Sequence, residues 1–314
     1  MDTPDFNLAK QKVMTAVSLL QTGMESDVIL RPSACGSCPR RLWYQQQAQR
    51  TGAVSAAREP RFSWFALQGT VTEAVLRDII EEAGAEVLHP PDRDLSTPAI
   101  QFTDTETGMQ PHVDGAIRWP EVGINEWAFL EFKNLRTMAA VDLVLEGLQP
   151  DRMYWFQAVA YLMLGRIAID NMGWDIPTPN QMVFWMAAKD PSTTNMMVRQ
   201  RVKPTKKETD HPEKMKDEEI TRARLKAGWR ERLVNLGSDY GSFYVELIHK
   251  DDPDVQATWE EIKALVPMLA ADTPPHPEVH NPLLPENELN VECAAYCDYT
   301  VECIADAMAH TIKS

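Results

Sequence analysis

Trp127-Ala128-Phe129-Leu130-Glu131-Phe132-Lys133-Asn134 is an apolar run interrupted at every second position near its end, the pattern of a strand. Successive side chains of a strand point to opposite faces, so Glu131 and Lys133 share one face and Leu130 and Phe132 the other. A carboxylate and an ammonium two residues apart on an apolar strand suit metal-assisted phosphodiester cleavage. The acid holds Mg2+ or Mn2+, while the amine positions water or steadies charge developing at phosphorus. The same alternation also suits an ordinary strand with one wet face.

About 17 residues upstream, His112-Val113-Asp114-Gly115-Ala116-Ile117 reads as an adjacent strand, and antiparallel pairing would bring Asp114 to Glu131 at one metal. Asp114-Gly115 is equally an ordinary turn signal. Downstream, Gln157-Ala158-Val159-Ala160-Tyr161 falls on a helix, where residues four apart share a face. An amide and a phenol one turn apart can bond a phosphate or the lysine. Upstream again, residues 64–83 predict an amphipathic helix with Leu67, Val71, Val75, Leu76, Ile79 and Ile80 as its apolar row and Gly84 as its stop. Glu73, four after Gly69, sits about 200° from Val71 and Val75, facing solvent or a cleft.

Other expectations complete the order. Helices are predicted at 8–24, 39–50, 137–147, 150–165, 218–236 and 254–270. Strands are predicted near 97–102, 111–118 and 126–133, and Gln181–Met186 with Met196–Val198 reads as a hairpin. Residues 203–219 read as an exposed loop and 273–288 as a Pro-rich extended stretch. Helix, strands, helix and strand again give an α/β class.

The five cysteines sit at the two extremities: Cys35 and Cys38, then Cys293, Cys297 and Cys303. Clustered thiolates suit zinc or iron–sulfur better than a disulfide framework. Joining Cys38 to Cys293 would cost roughly 5 kcal/mol of loop-closure entropy, which fits a structural centre. Cys35-Gly36-Ser37-Cys38 alone also matches a C-x-x-C redox pair, but no early strand precedes it as a redox βαβ unit requires. No apolar run approaches the ~20 residues of a membrane span. The first residues lack a secretory pattern, so a cytosolic, reducing compartment is expected.

The formal charge of −15 speaks against a nucleic-acid binder. Positive residues are nevertheless grouped: Arg40, Arg41, Arg50, Arg58 and Arg61; Arg199, Arg201, Lys203, Lys206 and Lys207; Arg222, Arg224, Lys226, Arg230 and Arg232. Each group is either solvated surface or a local basic footprint.

Taken in order, Cys38, Gly69/Glu73, Asp114, Glu131-x-Lys133, Gln157-x3-Tyr161 and the three late cysteines resemble the RecB-like branch of the PD-(D/E)XK nucleases. The likeness is to its iron–sulfur members: CRISPR-adaptation exonucleases, the AddB nuclease domain and related phage exonucleases. It runs from residue 33 to 303. The resemblance implies a restriction-endonuclease-like central mixed sheet flanked by helices, within one domain spanning 1–314. Residues 1–60 and 270–314 would form a helical, cluster-pinned extension and 61–202 the catalytic core. It further implies a [4Fe–4S] cluster on Cys38, Cys293, Cys297 and Cys303. Cys35 is then surplus or an alternative ligand, and zinc is the other metal the cysteines could hold.

Asp114, Glu131, the Phe132 backbone carbonyl and Glu73 would bind Mg2+ or Mn2+. Lys133 would assist the attacking water, and Gln157 and Tyr161 would position the nucleotide. The chain departs from the family in having three rather than two residues between Cys293 and Cys297, and Val113 rather than proline before Asp114. The implied activity is a DNA exonuclease on single-stranded ends, in a bacterial cell or phage-infected host, with recombination or helicase partners and no membrane. Trp43, Tyr44, Phe65 and Trp155 would stack bases or pack the core. The competing classes are a non-cleaving DNA-binding or recombination adaptor and a zinc-stapled structural protein.

Overall fold

The computed structural model describes residues 30–51, 60–90, 102–236, 241–275 and Cys303. Their strands are β1 (Glu86–Leu88), β2 (Gly115–Trp119), β3 (Ile124–Leu135), β4 (Gln181–Ala188) and β5 (Phe243–His249). They form one mixed sheet in the order β1-β2-β3-β4-β5. β1, β2 and β3 run as antiparallel neighbours, β3 and β4 are parallel, and β5 returns antiparallel along β4. The helices are α1 (Pro39–Arg50), α2 (Pro60–Glu82), α3 (Thr137–Glu146), α4 (Arg152–Met163), α5 (Gly165–Met172), α6 (Pro191–Val202), α7 (Lys206–Asp210), α8 (Asp217–Leu236) and α9 (Pro253–Ala270). The chain is therefore α/β, with a mixed sheet flanked by helices.

Alternation along β3 divides the interior. Leu130 and Phe132 enter a small core with Leu76, Ile80, Val87, Ile117 and Val183, under α2. Phe129 and Leu135 belong to the larger core with Val141, Val144, Phe156, Val159 and Ile262, under α3, α4 and α9. The parallel β3–β4 pair is joined through α3, α4 and α5, because parallel neighbours require a long crossover. α4 starts where the Asp151 carboxylate accepts from the Met153 and Tyr154 amides at 3.1 and 3.2 Å.

Several expectations are corrected. Met196–Val198 is not a strand but the middle of α6: Asp190 caps the Thr193 amide at 2.9 Å, and Pro191 occupies the first turn. The antiparallel partner of β4 is β5, so the sheet draws a strand from beyond residue 202. The 203–219 stretch holds α7, closed by a Thr205–Glu208 capping box, and a 3-10 turn at Pro212–Lys214. The helix expected over 150–165 breaks at Leu164 into α4 and α5. Gly165 sits where a Cβ would come within 2.9 Å of the Phe129 ring.

α2 is turned from its expected orientation. Val71, Val75 and Ile79 are 50–57% exposed, while Leu76 and Ile80 are buried and Thr72, Glu73 and Arg77 are half-buried beside them. The polar row turns inward because it has partners there: Thr72 Oγ1 accepts from Asn134 at 2.9 Å and Arg77 donates to the Asp114 carbonyl at 2.9 Å.

The basic groups are largely spoken for. Arg201 pairs with Asp142, Lys207 with Glu219 at 2.6 Å and Lys226 with Glu208 at 3.0 Å. Arg230 bonds the Val202 carbonyl at 2.7 Å, and Arg232 bonds Tyr244. Trp43 and Trp155 are buried and bond Ala271 O and Thr258 Oγ1, each at 2.8 Å, so both serve packing. Expectations for 8–24, 97–101 and 276–288, and for the Leu67 and Phe65 side chains, lie outside the described residues. No helix among the described residues is long and apolar enough to cross a membrane.

Candidate metal centre

Asp114 immediately precedes β2, whose first rung pairs Gly115 with Leu130. Its amide bonds Leu130 O at 3.2 Å, and its Oδ2 accepts from the Phe132 amide at 2.8 Å. The carboxylate therefore takes over the edge of β3 at the point where β2 ends. N–H and C=O of one strand residue point to the same side, so the Phe132 carbonyl faces that edge too.

Glu131 is 1% exposed on the opposite flank of the strand from Leu130. Its Oε1 accepts from Lys133 Nζ and, at 2.7 Å, from Gln157 Nε2. Gln157 also donates to Tyr161 OH at 3.1 Å, which ties one turn of α4 to the acid. The second oxygen, Glu131 Oε2, is buried and receives no hydrogen bond. The two acids are electrostatically coupled, the Asp114 charge raising Glu131. An orphan carboxylate oxygen beside a second acid is a costly arrangement without a cation, and hard divalent ions favour such oxygen donors. These residues fit Mg2+ or Mn2+.

Electrostatics agree. Burial, and then the Asp114 charge, push Glu131 well above the usual carboxylate range. Burial raises Asp114 against the opposing pull of Lys133, and burial with Asp114 raises Glu73 to about 7. Burial opposes the Lys133 ammonium, yet Glu131 and Asp114 together outweigh it and hold its pKa above the ordinary value. The Tyr161 hydroxyl is kept protonated by burial and by the same two acids. Glu73, Asp114 and Glu131 nevertheless do not bring three ligand atoms within 4.8 Å of one another. Among the described residues only Asp78, Glu81 and His89, all exposed, do so.

The structure gathers Asp114, Glu131, Lys133, Gln157 and Tyr161, with Glu73 facing them from α2. Two neighbours escaped the sequence reading. Arg77, four residues after Glu73 and hence on the same face of α2, braces the Asp114 backbone. Tyr154, one turn before Gln157, places its ring 5.8 Å from Lys133 Nζ.

At the other extremity, Arg40 is fully buried. Its Nε donates to Cys303 Sγ at 3.0 Å, Nη2 to Cys303 O at 3.4 Å, and Nη1 to Pro275 O. Cys38 stands two residues earlier, its carbonyl accepting the Leu42 amide at 3.1 Å at the entrance of α1. A sulfur near each end of the chain is thus brought to the same turn of α1, where a charged donor suits a metal-bound thiolate. Cys35 differs: its thiol donates to Pro32 O at 2.9 Å, and burial pushes it up to about 12, so it stands as a protonated thiol. Cys293 and Cys297 lie outside the described residues.

The cysteine turn and the acid site are mechanically linked. A Cβ on Gly36 would lie 2.4 Å from Arg152 O, so the cysteine turn packs directly on the first turn of α4. No protein-family model, curated protein or solved structure matches the chain. The site is therefore read from its own chemistry.

Proposed function

We propose that this chain is a Mg2+- or Mn2+-dependent deoxyribonuclease of the RecB-like PD-(D/E)XK kind, an exonuclease on single-stranded DNA ends with a structural [4Fe–4S] cluster. The observation that carries the reading is the pairing of half-buried Asp114 with buried Glu131, whose Oε2 is left without a hydrogen-bond partner and beside which Lys133 is fixed. Asp114 and Glu131 would hold the cation, with the Phe132 carbonyl and Glu73 as further oxygen donors. When bound there, the ion supplies a Lewis acid for the phosphoryl oxygens and a more acidic water.

Lys133 keeps its proton, so it acts as a fixed positive charge toward the phosphoryl oxygens rather than as a base. Glu73 faces the same site from α2, and where its carboxylate stays off the ion it can accept the proton of the attacking water. Gln157 holds Glu131 in place and, with Tyr161, presents an amide and a phenol toward the nucleotide. Water adds to phosphorus, the ester P–O bond breaks, and a deoxynucleotide leaves.

Cys38, Cys293, Cys297 and Cys303 would bind the cluster, with Arg40 donating to Cys303. Zinc on the same thiolates, with Cys35 in reserve, is the second option and is separated by metal analysis. Digestion of end-labelled single- and double-stranded DNA with Mg2+ or Mn2+ tests the activity. Lys133→Ala should lower the rate at least about a hundredfold while leaving the protein folded, at a melting temperature shifted by the loss of the Glu131 partner. Wild-type rates in that variant would remove Lys133 from the mechanism. Wild-type protein that binds but never cuts would make the chain an adaptor.

A further inference from the structure

β3 and β4 end together: Leu135 pairs with Ala188, and the Lys189 amide bonds Leu135 O at 2.8 Å. Arg136 and Lys189 therefore leave the sheet side by side, about 10 Å along the strand from Lys133. They are close enough that burial and the Arg136 charge together lower the Lys189 pKa. Two cations held together at the carboxyl edge of a parallel pair form a natural anion seat.

The positive surface continues beyond them. Lys189 leads into α6, one face of which lines an open concavity of about 550 Å³ containing Asn195, Arg199 and Lys203. No acid lines it among the described residues, in a chain of net charge −15. Arg199 and Lys203 are exposed, unlike the ion-paired Arg201 on the same helix. Asn195 Oδ1 is buried and without a hydrogen-bond partner. The Asn195 side chain abuts Gly241, two residues before Phe243.

We propose that a single-stranded polynucleotide leaves the Asp114–Glu131 site across Arg136 and Lys189 and runs along α6, its phosphates on Arg199 and Lys203. Exposed cations along one helix face, with no acid among them, suit salt-dependent and sequence-tolerant phosphate contacts. This path rests on reading Asp114–Glu131 as the cutting site, but its test does not require cutting.

Fluorescence anisotropy of a labelled oligothymidine in EDTA measures binding alone. Arg199→Glu/Lys203→Glu should weaken binding about tenfold and flatten the log K against log salt slope by about 1.4, the loss of two phosphate contacts. A charge-matched Arg166→Glu/Lys263→Glu protein, altered at surface ion pairs on α5 and α9, should bind within about twofold of wild type. Equal affinity and slope in the α6 variant, or equal losses in both charge-reversed proteins, would overturn the path, as would a wild-type protein that binds no oligonucleotide. Wild-type binding without metal-dependent cleavage would leave the path standing and remove the nuclease reading instead.

Discussion

Asp114 and Glu131 are held by ordinary devices, a strand amide for one and a glutamine with a lysine for the other, yet Glu131 Oε2 is left without a hydrogen-bond partner. Asp114→Asn keeps an oxygen for the Phe132 amide and removes a buried charge. It should leave the metal-free melting temperature unchanged or higher and abolish the rise that Mn2+ gives wild type. An undiminished Mn2+ response would move the metal elsewhere. The acids also set a pH trend. Glu73, Asp114 and Glu131 all have folded pKa values above their ordinary ones, so the folded state binds more protons than the unfolded chain between the two values. Metal-free protein should lose stability from this site as pH rises from about 4.5 toward 7, and Mn2+ should stabilise more at pH 8 than at pH 5. A metal-free melting temperature that climbs with pH, tracked by the loss caused by Asp114→Asn, would contradict the assignment.

At the scale of elements, β3 and α4 were legible because their chemistry shows within a few residues: Glu131-x-Lys133 needs only alternation, and Gln157-x3-Tyr161 only a helical turn. α6 and β5 were not. Met196-Met197-Val198 is too short to carry a period, and the Asp190-Pro191 start was the deciding signal. In Phe243-Tyr244-Val245-Glu246-Leu247-Ile248-His249 both faces are apolar, since Phe243, Val245 and Leu247 point outward at 41–45% exposure, so alternation is blurred. The facing of α2 was decided by tertiary partners, Asn134 for Thr72 and Asp114 for Arg77, which no helical wheel contains. The contact of Gly36 with α4 was equally invisible. Gly36→Ala puts a Cβ 2.4 Å from Arg152 O, so backbone must shift. A loss of about 1–3 kcal/mol in chemical denaturation is expected. Unchanged stability would mean the cysteine turn is not packed on α4.

For the molecule as a whole, the class was readable from element order, whereas the joining of its ends rests on long-range side-chain contacts, Trp43 to Ala271 among them. Arg40 reaches Cys303 and Pro275 from the turn that carries Cys38. Cys303→Ser should bleach the brown chromophore of anaerobically purified protein and lower its melting temperature. Colourless wild-type protein containing zinc would replace the cluster with a zinc staple. The acidic total charge coexists with exposed cations along α6, so net charge alone does not decide the partner. The central claim, that Asp114 and Glu131 hold a cation for cutting DNA, is tested most directly by incubating end-labelled single-stranded DNA with Mn2+. Wild-type protein should release labelled nucleotides, EDTA should stop it, and Asp114→Ala should release none. Intact label with wild type, or equal release by the variant, would contradict it.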